Sequence, residues 1–220
     1  FLILLNLIII YYTIYLNIIN TMRVIIVTQT FPPRIGGMQS VMSALAKNFS
    51  KIIPTYVFPD HNIPNSHPIR SYKIEFNLSK FPKIFRPFIK KIKLKKILKE
   101  DDIIICDSWK SLNALPNTNN KIVMLAHGQE FLSKSKKNKI NKLVKKVSIV
   151  ISSSNYTKNI FLKICKFPKS KTYVIPPTYE IENNKIKIQN KSSYKKDLIL
   201  TTISRLEERK GFLPVIKAFK

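Results

Sequence analysis

The sequence predicts an α/β fold, a doubly wound parallel sheet, and three observations predict it. Short apolar runs alternate with segments of helical period. Several of those runs are apolar without strict alternation, as strands covered on both faces are. Polar stretches containing Pro, Gly or Asn separate them, and strand–helix alternation implies crossover connections that make neighbouring strands parallel.

The elements follow in order. The first twenty residues carry no charge and are long enough to span a bilayer as a helix at about 1.5 Å per residue. No basic flank or small-residue cleavage site precedes Arg23, and the first strand follows without a linker. Residues 1–21 are therefore expected to be an apolar extension upstream of a natural start at Met22, with a membrane anchor as the alternative. Strands are expected at Arg23–Thr28, Thr55–Phe58, Tyr72–Phe76, Ile103–Cys106, Ile122–Ala126, Ser148–Ser152 and Tyr173–Ile175. Met38–Phe49 has helical spacing at Met38, Val41, Met42, Leu45 and Phe49, and Ser154–Cys165 is a helix opened by Ser or Asn caps. Between 81 and 98, Phe81, Ile84, Phe85, Phe88 and Ile92 share one face, but Pro87 falls within it, so a Pro-broken segment packed partly on the core is expected. These elements make one domain, 22–177. Residues 178–196 lose periodicity and read as a linker; 197–220 hold an apolar strand at Leu198–Ser204 and a helix at Leu213–Phe219, the first βα unit of a second domain.

The net charge of +27 favours anionic partners. One basic cluster runs from Lys80 through Lys90 to Lys99, another from Lys134 to Lys146. A solvated basic face is the plain reading, an anionic membrane surface the next; nucleic acid is disfavoured. Cys106 and Cys165 lie far apart, as buried free thiols in a reducing compartment do. There is no Cys-x-x-Cys and no His-x-x-x-His, so a metal site has no visible ligands, and no G-x-G-x-x-G loop to hold a dinucleotide.

Ligands of open α/β sheets bind outside the carboxyl ends of the strands, and the candidate residues are expected there. Gly36 and Gly37 follow strand one, where missing side chains let a ligand approach the backbone, or merely form a turn. His127 alone of the three histidines falls at a strand end; His61 and His67 sit in an exposed Pro/Asn-rich loop. Glu130 either contacts a hydroxyl or caps a helix. Asp107 and Trp109 follow strand four and either line the cleft or pack in the core. Arg205 and Lys210 flank a turn before the last helix and are either solvated or a polyphosphate clamp.

FPPRIGG at 31–37, HGQE at 127–130, SSSNYTKNIF at 152–161 with VIPPTYE at 174–180, and SRLEERKGF at 204–212 occur in an order and spacing that resemble the GT-B glycosyltransferases of family 4. That resemblance covers nearly all of the chain from Met22 onward. It implies two Rossmann-like domains facing across a cleft, here an acceptor-binding N-terminal domain and the truncated start of the nucleotide-sugar-binding one. It also implies retaining, metal-independent transfer of a hexose from a nucleotide diphosphate sugar to a lipid-linked or glycan acceptor. Localisation would be cytoplasmic or peripheral on the inner membrane face. By the same resemblance His127 is catalytic and faces the transferred sugar and the acceptor, and Arg205 and Lys210 clamp the donor diphosphate; from their places at the strand ends Gly36 and Gly37 are expected on the donor side and Glu130, Asp107 and Trp109 on the acceptor side. The family's Glu-x7-Glu element would lie past Lys220, so a fragment inactive by itself is expected. The alternatives are a GT-B sugar-nucleotide epimerase and a basic non-catalytic module on anionic membrane.

Overall fold

A computed structural model describes residues 22–29, 31–60, 72–75, 78, 81–177, 201–204 and 207–219, the side chains of Lys134 and Arg209 excepted. Residues 1–21, His61, His67, Arg205 and the span 178–200 lie outside the described residues. The chain divides into two units, 1–180 and 181–220.

The first unit is a seven-stranded, all-parallel sheet ordered β3-β2-β1-β4-β5-β6-β7. Its strands are β1 (Val24–Val27), β2 (Thr55–Phe58), β3 (Lys73–Ile74), β4 (Ile103–Cys106), β5 (Lys121–Ala126), β6 (Ile149–Ser152) and β7 (Thr172–Val174). Each falls within a run expected to be a strand or overlaps it. The order reverses between β1 and β4, where Val24 faces Thr55 on one side and Ile103 on the other. At such a reversal flanking loops diverge and leave a crevice.

Helix α1 (Gly37–Phe49) seats Met42 and Ala46 on one face of the sheet, against Val24, Ile26, Val57 and Ile105. Helices α2 (Arg86–Ile97), α3 (Lys137–Val144) and α4 (Asn155–Ile164) seat Leu94, Ile140, Val144 and Phe161 on the other. Ser154 caps α4, its Oγ accepting the Thr157 N–H at 3.1 Å. Both cysteines are buried and free.

Two expectations for 81–98 are corrected. Pro87 does not interrupt a helix; it stands in the first turn of α2, where an amide donor is not needed. The face that packs carries Lys90 and Leu94, while Phe81, Ile84, Phe85, Phe88 and Ile92 are exposed. Lys90 is consequently no part of a solvated face. Its Nζ donates to the carbonyls of Thr28 (3.1 Å) and Phe58 (2.9 Å) and pairs with Asp60, so the ammonium stays partnered.

In the second unit a 3-10 turn (Glu208–Lys210) leads through Gly211 into α5 (Phe212–Ala218). Residues 201–204 are not a strand. A lone strand leaves its backbone groups without a ladder, and among the described residues this unit offers no second strand to pair with.

Candidate functional site

The site is built on three adjacent strand ends. Directly after β4, the fully buried Asp107 carboxylate accepts from Thr28 Oγ1 (2.7 Å) and the Gln29 N–H (2.8 Å), both just past β1. Ser108 and Ser111 hydroxyls donate to its other oxygen. With four donors around it, this carboxylate is a clamp that fixes the β4 terminus against β1.

That clamp positions His127, directly after β5. Its Nε2 lies 2.9 Å from the Asp107 main-chain oxygen. A carbonyl only accepts, so Nε2 carries the proton, and the neutral ring presents Nδ1 as an acceptor. Burial lowers the imidazole's pKa below its ordinary value despite the opposing pull of the Asp107 carbonyl and carboxylate, which keeps the ring neutral.

Gly128 follows with φ +97°, a left-handed turn that brings Glu130 back under His127. Glu130 Oε1 accepts the His127 N–H at 3.2 Å. Burial pushes this carboxyl up to about 7, the charge of Asp107 adds to the rise, and the His127 N–H and Lys110 oppose it. Glu130 thus changes protonation near neutrality while bonded to the main chain of His127. Burial also raises both thiols, Cys165 to about 12, which leaves them unreactive.

His127 opens onto a cleft of about 290 Å³ between α1 and the β5–β7 side of the sheet. Val41, Leu45 and Phe49 of α1 form one wall, Leu125 and Ile151 the floor, and Ile175–Pro177 the far rim; Ser153 is a further polar group. The arrangement is an apolar trough with an imidazole at the strand ends, suited to a ligand with an apolar body and a hydroxyl.

The structure brings Asp107, His127 and Glu130 together. Trp109 is buried in the core and its Nε1 has no hydrogen-bond partner among the described residues. Phe31 is buried against Tyr72 with ring centroids 5.9 Å apart, and it anchors the loop that carries Gly36 and Gly37. A Cβ on Gly37 would meet nothing within 4 Å, so Gly37 flanks open space, whereas one on Gly36 would collide with Gln39 Oε1 and require that flexible side chain to move. Lys210 is exposed in the second unit. Among the described residues no three His, Cys, Asp or Glu side chains converge as a metal site. Sequence reasoning missed Thr28, Ser111 and Lys90, which hold the strand ends. For Lys90 the signal was only partial: Lys90, Leu94 and Ile97 share one helical face, but Phe88 and Ile92 make a rival apolar one.

A family model for Glycosyltransferase Family 4 matches residues 35–183, more than half of the chain. The chain belongs to glycosyltransferase family 4. The family 4 domain resembles HepE of Anabaena, solved in complex with UDP-glucose, at 15% identity and TM-score 0.51, over 72% of this chain and 44% of that one. It also resembles an E. coli trehalose-6-phosphate structure bound with UDP-2-fluoro glucose, at 15% identity and TM-score 0.50, over 73% and 49% of the two chains. These likenesses establish the GT-B, Rossmann-like fold. The chain spans less than half the length of either structure. No curated protein matches the sequence.

Proposed function

We propose that the chain is the acceptor-binding half of a retaining glycosyltransferase that moves a hexose from a nucleotide diphosphate sugar to a lipid-linked or glycan acceptor at the cytoplasmic membrane face. The observation that supports it best is His127, a neutral imidazole held by the Asp107 carbonyl at the rim of an apolar cleft. In the reaction the bond from the sugar's anomeric carbon to the diphosphate breaks and one to the acceptor oxygen forms, the acceptor's proton passing to the departing diphosphate. His127 Nδ1 would accept from a hydroxyl of the transferred sugar and orient it, while Gly36 and Gly37 let the donor approach the β1–α1 loop. Glu130, Asp107 and Trp109 would shape the acceptor side. Charge builds on the leaving diphosphate, and Arg205 and Lys210 would neutralise it without a divalent cation.

Turnover of the complete enzyme tests the reading. His127→Ala and Lys210→Ala are each expected to lower kcat at least tenfold, about 1.4 kcal/mol of transition-state stabilisation. Near-wild-type kcat in both variants would remove these residues from the reaction.

A further inference from the structure

The row Phe81, Ile84, Phe85, Phe88 and Ile92 has no place in the site described above. Phe85, Phe88 and Ile84 are 56%, 64% and 82% exposed, on the turn into α2 and its first two turns. On the helix, Phe88 and Ile92 stand one turn apart on the side opposite Lys90, Leu94 and Ile97, which face the sheet. Single exposed apolar residues are ordinary; a contiguous row of three phenylalanines and two isoleucines is not.

Charge says what covers it. From 81 to 99 the sequence has eight Lys and Arg and no Asp or Glu. Lys90 is buried, but Lys91, Lys95 and Lys96 are exposed and flank the row along α2. An apolar ridge edged by cations is complementary to a surface with anionic headgroups over hydrocarbon. Isoleucines give nucleobases nothing to stack on, and polar single strands would leave the ridge hydrated.

The ridge also sits on the functional edge of the sheet. Lys90 Nζ reaches the carbonyls of Thr28 and Phe58, at the carboxyl ends of β1 and β2, whereas Ile97 accepts from Arg23 at the start of β1. Helix α2 therefore runs antiparallel to the strands, and its aromatic N-terminal end lies on the edge that carries His127.

We propose that Phe81–Ile92, with Lys91, Lys95 and Lys96, is a docking surface that inserts its aromatic end into an anionic lipid bilayer. This deepens the membrane-face part of the proposed function and requires no sugar transfer. The test uses the full chain, without sugar, and vesicles of phosphatidylcholine with or without phosphatidylglycerol. Phe88→Trp is expected to fluoresce at shorter wavelength with anionic vesicles and to be quenched by lipids brominated on the acyl chain, over the constant background of buried Trp109. Phe85→Ser/Phe88→Ser, with an unchanged circular dichroism spectrum, is expected to lower partition into anionic vesicles at least tenfold. Lys91→Glu/Lys95→Glu is expected to do the same, and salt to weaken wild-type binding. Absence of quenching in the Phe88→Trp variant overturns the proposal even if the chain binds vesicles, because another segment then makes the contact. Binding to an oligonucleotide that tracks the Phe pair, with none to vesicles, overturns it in favour of nucleic acid. Either failure leaves the transferase assay with His127→Ala unaffected.

Discussion

At Gly128 the backbone sits at φ +97° and an added Cβ would stand 3.0 Å from Thr157 Oγ1, so both conformation and space demand glycine. Gly128→Ala is expected to cost about 1–3 kcal/mol in urea unfolding and to move the His127 ring resonances, since the residues are adjacent. Gly37 is the opposite case. With nothing near its Cβ position at the start of α1, Gly37→Ala is expected to leave stability equal or raise it by about 0.4–1 kcal/mol. If the loop contacts a donor, that same variant binds nucleotide sugar more weakly; titration calorimetry of the complete enzyme separates the two effects. Glu130 adds a pH signature. Its carboxyl lies at about 7 in the fold against 4.5 ordinarily, so the folded state holds its proton longer. The stability this confers is fully present below the ordinary value and is lost as pH rises through about 7, by up to about 3 kcal/mol. Subtracting the Glu130→Gln stability profile from that of the unaltered chain should reveal this slope between pH 4.5 and 7; coincident profiles would show that the site does not bury Glu130.

Among elements, β1 and β4 are tied at their amino ends by Arg23 and Asp102. The guanidinium meets the carboxylate with two bonds, at 2.8 and 2.6 Å, and also donates to the Ile97 carbonyl, while Asp102 accepts the Lys99 N–H. Asp102→Ala leaves a cation partly buried without its partner and is expected to cost about 3 kcal/mol or more by denaturant melts. The double change Arg23→Met/Asp102→Leu should recover most of that loss, because it leaves no unpaired charge. The strands were legible because a sheet covered on both faces demands continuous apolar runs, as VIIV and IIIC show. Helix α2 was harder. Both of its faces carry apolar residues, so periodicity could not say which one packs, and Lys90 on the inward face looked like surface charge. The carbonyls at the ends of β1 and β2 and the Asp60 carboxylate explain a lysine there, and they come from residues 62, 32 and 30 positions away. The Asp107–His127 contact was hidden for a similar reason, since the acceptor is a main-chain oxygen and any side chain supplies one.

For the molecule as a whole, 39 Lys and Arg against 12 Asp and Glu make self-repulsion a standing cost of compactness. Melting temperature is expected to rise by several degrees as sodium chloride goes from low to about 0.5 M, because the screening length shrinks to a few ångströms. A flat response would mean that the charges are already well separated or paired. The fold class was readable at this scale from alternation alone, and so was the last helix of the second unit; the strand expected before it is not formed over 201–204, because a strand exists only with a neighbour to bond. The trough beside α1 has one further consequence. Its walls are mainly hydrocarbon, with Asn48 and Ser153 the polar exceptions besides His127, and apolar contacts discriminate by size: one methylene more or less changes preference by about 1–3 kcal/mol, while an added hydroxyl is scarcely noticed. A molecule lodged there is measured for its girth and length, and any reading of its stereochemistry falls to the few polar atoms at the mouth, His127 foremost.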